Sequence, residues 1–174
     1  MIDEVCFKRA KAGDGESFYK LLEPIKDRLY RTAFMYMKNE NDALDCVHDS
    51  IVKAIRSLDK LKNPQYFNTW ITRIIINTCK DNLRKAKNAS PYDMAQLEHK
   101  LAYHGDLNIE ENVDLYRALD NLKEEEKELI AMRYVNGMST RDIAQVTHSP
   151  LGTVRSRLSR TIKKLRVYMG GEYK

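Results

Sequence analysis

The 174-residue sequence predicts an all-α fold: two small helical domains joined by a flexible acidic linker, the second containing a helix-turn-helix. Three observations carry this. Apolar residues recur at helical spacing nearly throughout, with only four Pro and seven Gly to interrupt them. Charge is segmented: residues 1–88 hold 17 basic and 12 acidic side chains, residues 89–112 hold 1 and 5, and residues 113–174 hold 12 and 8. Two basic halves around an acidic connector suggest two nucleic-acid-facing domains, 1–88 and 113–174, with 89–112 between them as linker. Finally, Ser139–Arg166 reads as two helices joined by a tight turn.

Taken in order, residues 3–12 read as a short helix ended by the breaker cluster Gly13-Asp14-Gly15. From about Ser17 to Met37, the residues Phe18, Leu21, Leu22, Ile25, Leu29, Ala33, Phe34 and Met37 keep helical spacing, and Pro24 predicts a break or kink. Asn41 is expected to cap a helix from Asp42 to about Ser57, with Leu44, Val47, Ile51, Ile55 and Leu58 as its buried face. Asp42, Asp45 and Asp49 then line the opposite side. Three carboxylates early in a helix suit its dipole, and an acidic stripe opposite the core also suits docking of a basic partner; both readings stand.

After the loop Asp59–Asn63, Asn63 and Pro64 start another helix, reaching about Lys87. Phe67, Ile71, Ile74 and Thr78 are its expected core face, with Trp70 and Ile75 beside them. Arg73, Asn77, Lys80, Arg84 and Lys87 fall on one side, as a surface tracking a nucleic-acid backbone would have them. Trp70, near the edge of that stripe, suits either a stacking aromatic or a core side chain. Residues 88–112 mix Asn, Ser, Pro, Gly and acidic residues, with one helical turn expected around Met94–Leu101; His99 and His104 read as solvated.

The second half opens with helices from Val113 to about Leu122 and from about Lys123 to Asn136, the latter carrying Glu124, Glu125, Glu126 and Glu128 early, as the dipole prefers, and Gly137 as C-cap. Ser139 with Asp142 is a capping-box start, and Ile143, Ala144 and Val146 give that helix its apolar side. Ser149 is the expected N-cap of the last helix, with Pro150 at its first position. Val154, Leu158, Ile162 and Leu165 form one apolar stripe. Opposite lie Ser156, Ser159, Arg160 and Lys163, flanked by Thr153, Arg155 and Arg157, and between Gly152 and Arg166 there are six basic residues and no acidic one. Such a second helix suits the DNA major groove, outer side chains on base edges and flanking cations on phosphates.

Composition excludes several classes. No apolar run approaches a membrane span, and the N-terminus lacks the apolar core of a signal peptide, so a cytoplasmic protein without membrane insertion is expected. Cys6, Cys46 and Cys79 form no C-x-x-C pair and read as reduced thiols; Cys46 and His48 are too close in sequence to share a helix side as metal ligands. No nucleotide-binding glycine loop, nucleophile–base pair or metal cluster stands out. Hence no catalytic residue, metal or cofactor is expected, and the chain is read as a non-enzyme.

In combination these stretches resemble the extracytoplasmic-function (ECF) group of bacterial RNA polymerase sigma factors, small members of the primary sigma family, over nearly the whole chain. DALDCVHDSIVKAI resembles the family's core-polymerase-binding helix, FNTWITRIIINTCKDNLRK its promoter-melting segment, and DNLKEEEKELIAMRYVNGMSTRDIAQVTHSPLGTVRSRLSR its fourth conserved region. The resemblance implies that Asp42, Asp45 and Asp49, with Leu44 and Val47, face the clamp helices of core RNA polymerase. It implies that the loop 59–68, with Asn68, and the helix bearing Trp70, Arg73, Asn77, Lys80 and Arg84 bind the −10 element and hold its non-template strand open. Arg155, Ser156, Ser159 and Arg160, with Lys163 on the same face, would read the double-stranded −35 element, with Thr153 and Arg157 on its backbone. The acidic linker would thread the polymerase's RNA-exit path. An anti-sigma factor, which could hold the inactive protein at the membrane, would cover the DNA- and polymerase-binding faces.

Some positions depart from the family's pattern. Its turn commonly reads Leu-Gly-Ile-Pro, whereas here it is Thr147-His148-Ser149-Pro150; His is tolerated at positive φ better than most residues. A Pro common near position 123 is Lys123. No third sigma domain, acidic N-terminal extension or C-terminal extension is expected. Two rivals differ in class. An ordinary helix-turn-helix repressor would bind a palindrome alone as a dimer, and leaves the Asp42–Asp49 and Arg73–Lys87 stripes unexplained. A mimic that captures an anti-sigma factor would not need a base-reading face on the last helix.

Overall fold

A computed structural model describes residues 3–88 and 113–170, which fall into two compact units. The turn expected around Met94–Leu101, and His99 and His104, lie outside the described residues. Among those residues every regular element is helical.

The first unit holds α1 (Glu4–Lys11), α2 (Gly15–Leu22), α3 (Lys26–Met37), α4 (Glu40–Ser57) and α5 (Phe67–Asn88). Asp14, inside the breaker cluster, also caps α2: its carboxylate accepts from Glu16 N at 3.2 Å and from the Ser17 hydroxyl at 2.7 Å. The break at Pro24 is a 3₁₀ turn over Glu23–Ile25, after which α3 resumes the same buried stripe with Leu29, Ala33 and Phe34. α3 ends on Lys38, whose left-handed φ of 59° lets its N–H reach the Phe34 carbonyl at 2.8 Å. Helix α4 starts two residues before the expected Asp42: Asn39, not Asn41, is its cap, with extended backbone and a side chain that accepts from Asp42 N at 3.1 Å.

The larger correction concerns which side of α4 is buried. Its core strip is Ala43, Cys46, Ser50 and Ala54, all at most 2% exposed. Leu44 and Ile55 are exposed, and Val47 and Ile51 only half-buried; of the expected face only Leu58, just past the helix end, lies in the core. The reason is steric. α4 packs against both α3 and α5, and small side chains let the backbones approach while the bulk comes from α3 and α5. The Cys46 and Cys79 sulfurs meet at 2.8 Å across the α4–α5 seam, and the buried Ser50 hydroxyl is satisfied by donating to Cys46 O at 2.7 Å.

α5 supplies Phe67, Ile71, Ile75, Ile76, Thr78 and Cys79 to the core, all fully buried. Ile75 and Ile76 take the central place expected of Ile74, which is half-buried. Phe67 meets Phe18 of α2 edge-on, ring centroids 6.3 Å apart.

The second unit holds α6 (Val113–Asp120), α7 (Glu124–Ile130), α8 (Thr140–Val146) and α9 (Leu151–Tyr168), with α9 packed against the other three. The expected helix to Asn136 does not run as one α-helix. It widens into a π turn over Ala131–Val135, where Asn136 donates from both its backbone N and its Nδ2 to Ala131 O at 3.0 and 2.9 Å. Gly137, at φ 67°, then turns the chain into α8.

Candidate nucleic-acid interface

The helix-turn-helix is α8 and α9. Its entry is the predicted capping box: Asp142 N donates to Ser139 Oγ at 3.1 Å and Ser139 N to Asp142 Oδ2 at 3.0 Å. Its turn is a Schellman motif built without glycine. His148 takes φ 50°, its N–H points to Gln145 O at 3.4 Å, and Ser149 N donates to Ala144 O at 3.0 Å. Two orphan carbonyls of α8 are thereby satisfied, so the departure from Leu-Gly-Ile-Pro preserves the turn. The start of α9 differs from expectation by one residue. Pro150 itself is the boundary, and Ser149 does not cap: its hydroxyl donates back to Thr147 O at 3.2 Å.

α9 buries Val154, Leu158 and Thr161, with Ile162 and Leu165 half-buried. Thr161 takes the place expected of Ile162 because it lies about 20° from Val154 around the helix, whereas Ile162 lies about 80° away. Ser156, Ser159, Arg160, Lys163 and, at one flank, Arg155 are exposed, and Thr153 is half-buried. Arg160 Nε donates to Ser156 O at 3.3 Å, and Ser156 Oγ to Thr153 O at 3.0 Å, which holds this face against its own backbone. Arg157 leans to the other flank, 3.7 Å from Glu125 of α7. Two turns further, Lys164 pairs with Glu126, whose second oxygen accepts from Lys123 N at 3.0 Å and so caps α7. Burial opposes the Glu126 carboxylate, but the Lys164 ammonium and the Lys123 N–H outweigh it and hold the carboxyl below its usual range.

In the first unit, Arg73, Asn77, Lys80 and Arg84 fall within about 60° of arc on α5, opposite the buried strip; all are exposed but Lys80, which is half-buried. Trp70 borders this stripe, half-buried, its ring 5.9 Å from Phe67. It joins both readings: one face on the core, the remainder available. Arg84 has Asp81 at 3.6 Å, which tempers its charge. Asn68 stands apart, roughly 160° around α5 from the stripe; it lines a groove of about 480 Å³ with Cys6, Lys20 and Arg28. The side chain of Lys87 lies outside the described ones.

On α4, Asp45 and Asp49 are exposed and Asp42 half-buried near the cap. Beside them Leu44, Val52 and Ile55 are 40%, 45% and 56% exposed, so an acidic edge borders an apolar strip on one outward side. Val52 and Ile55 are the members sequence reasoning missed. The available signal was the spacing of small residues at 43, 46, 50 and 54, which marks a close-packed seam and turns the large residues outward.

Comparison with known proteins completes the assignment. Residues 21–89 match the family model for sigma-70 region 2, and residues 112–165 match that for sigma-70 region 4. The RNA polymerase sigma factor SigV of Bacillus subtilis is 35% identical over 147 residues, 84% of this chain and 87% of that protein. The ECF RNA polymerase sigma-E factor of Haemophilus influenzae is 30% identical over 173 residues, 92% of this chain and 91% of that one. Two solved structures share the fold at 22% identity: CnrH in complex with the cytosolic domain of CnrY, with a TM-score of 0.70 over 97% of each chain; and the sigma factor RpoE of Bartonella quintana in complex with the anti-sigma factor NepR, with a TM-score of 0.71 over 91% of this chain and 99% of that one. The chain belongs to the ECF group of bacterial RNA polymerase sigma factors, promoter-recognising regulators that direct transcription initiation.

Proposed function

We propose that this sigma factor docks on core RNA polymerase through the outward side of α4, with Asp42, Asp45 and Asp49 at the acidic edge and Leu44 and Val47 beside them. The outer face of α9, with Arg155, Ser156, Ser159, Arg160 and Lys163, reads the −35 element, while Thr153 and Arg157 rest on its backbone. The loop 59–68 and the α5 residues Trp70, Arg73, Asn77, Lys80 and Arg84 bind the −10 element and hold its non-template strand apart, through stacking and backbone contacts rather than bond chemistry. Residues 1–88 and 113–174 act as the two DNA-facing domains and 89–112 as their connector. The chain works in the cytoplasm and is no enzyme. An anti-sigma factor of the kind that holds RpoE covers the same α4 and α9 faces and can tether the protein at the membrane.

The observation that carries this reading is the outward side of α4. A helix that fills its core seam with Ala43, Cys46, Ser50 and Ala54 and leaves Leu44, Val52 and Ile55 exposed beside two carboxylates is built for a protein partner. A free-standing repressor has no use for it.

Two substitutions separate the roles. Arg160→Ala should weaken −35 recognition by about 1–3 kcal/mol and relax base preference there, with core affinity unchanged. Asp45→Arg should lower affinity for core polymerase with promoter preference unchanged. The checks are transcription from a promoter library and titration of labelled protein with core enzyme. Unchanged promoter selection in the first variant, or unchanged core affinity in the second, contradicts the assignment.

A further inference from the structure

We propose that Lys11 is a positioning residue for promoter opening: it holds the backbone of the 58–63 loop in the shape in which that loop meets the −10 strand. This rests on the assignment of the loop to the −10 element made above. Lys11 is the last residue of α1, and no pattern in the sequence joins it to a loop about 50 positions away. Its Nζ nevertheless donates to Asp59 O at 2.9 Å and to Leu61 O at 3.1 Å. Two of the three ammonium donors thus grip alternate carbonyls of one turn. The same ammonium lies 5.7 Å from the centre of the Phe7 ring, a buried side chain one turn back on α1.

The loop is of a kind that needs such a grip. Leu58 and Leu61 are buried and anchor its two shoulders, while Asp59, Lys60, Lys62 and Asn63 are exposed. Leu61 N returns to Leu58 O at 3.1 Å, closing the first turn, and Asn63 then turns its side chain forward to accept from Gln65 N at 2.9 Å. The carbonyls of Asp59 and Leu61 fall between these two closures, where Lys11 supplies charged donors. A reading loop held by a charged clamp from another helix keeps its exposed side chains in register before DNA arrives, which lowers the ordering cost of binding.

The test uses the full chain with core polymerase on a library randomised at the −10 element, together with amide hydrogen exchange of the free protein. Lys11→Met keeps the aliphatic stem and removes both donors. The expected result is exchange in residues 58–63 faster by about ten-fold, several-fold weaker −10 base preference, and unchanged −35 preference and core affinity. Lys11→Arg, which restores a cationic donor, should recover part of the −10 preference. Unchanged exchange and preference in Lys11→Met overturns the proposal. So does a uniform loss across all −10 sequences with a salt slope smaller by about one, which would mark a direct phosphate contact instead. A combined Lys60→Ala, Lys62→Ala, Asn63→Ala variant separates this from the parent reading: if it leaves −10 preference intact, the loop does not read that element, and the Lys11 role falls with it. If it alters the preference while Lys11→Met does not, only the Lys11 role falls.

Discussion

His148 shows how one residue can sit against its own preference and still serve the fold. Its φ of 50° places a β-carbon where glycine costs nothing, and the two Schellman hydrogen bonds hold it there. His148→Gly should therefore raise the melting free energy of the protein by about 0.5–1 kcal/mol, less than the full left-handed penalty because glycine also loosens the unfolded chain. Denaturant titration of the two proteins checks this; a destabilised glycine variant would mean the imidazole makes a compensating contact. The cysteines differ by placement in the same way. Cys6 is half-buried with its thiol donating to Ser17 O at 3.2 Å, whereas Cys46 and Cys79 are sealed in the α4–α5 seam. The hydrogen bond shared with Cys46, with burial behind it, holds Cys79 as the neutral thiol and pushes it far above its ordinary range. A thiol reagent should label Cys6 readily in the native protein and reach Cys46 and Cys79 only as the first unit opens. Prompt labelling of three thiols, followed by mass spectrometry, would contradict that packing.

At the scale of single helices, the sequence was most informative where the period was helical and least where side-chain size decided. The α2–α3 stripe through Pro24, the α8 capping box and the apolar side of α9 were legible because spacing and caps alone determine them. The buried side of α4 was not. Leu44, Val47, Ile51 and Ile55 make as good a stripe as Ala43, Cys46, Ser50 and Ala54, and only the close approach of α3 and α5 selects the small one. The π turn at Ala131–Val135 likewise has no local signal, because it is closed by Asn136 reaching back five residues. The α4 assignment predicts opposite outcomes for neighbouring positions. Ala54→Leu should cost about 1–3 kcal/mol through overpacking, while Leu44→Ala should stay within about 0.5 kcal/mol, as exposed substitutions do, yet weaken core polymerase binding. Chemical denaturation and core titration of both variants measure this directly. Helix α7 makes a pH prediction. A carboxyl held below its ordinary value of 4.5 in the folded state binds its proton more readily once unfolded. The stability Glu126 contributes is thus complete above that value and lost as pH falls through the depressed one. Glu126→Gln should flatten the acid limb of the stability profile as pH falls below that ordinary value; an acid limb identical to that of the parent protein would place the titration elsewhere.

For the whole molecule, the two-domain all-α architecture and the family were readable before any coordinates, because segmented charge and three stretches in the right order survive without tertiary detail. The residues of the site were readable in part. The α9 face, the α5 stripe and the separation of Asn68 from that stripe follow from helical geometry, but the grip of Lys11 on the 58–63 loop is a long-range fact that periodicity cannot encode. One chain thus carries two basic helix faces and a third, apolar and acidic, and the proposed function gives each a different target. The most direct test of that division is run-off transcription with purified bacterial core polymerase on a promoter library, with and without this protein. Specific transcripts that appear only on its addition, from templates sharing both a −35 and a −10 element, are the predicted result. No added transcript, with the protein alone retaining a discrete palindromic site, would contradict the account.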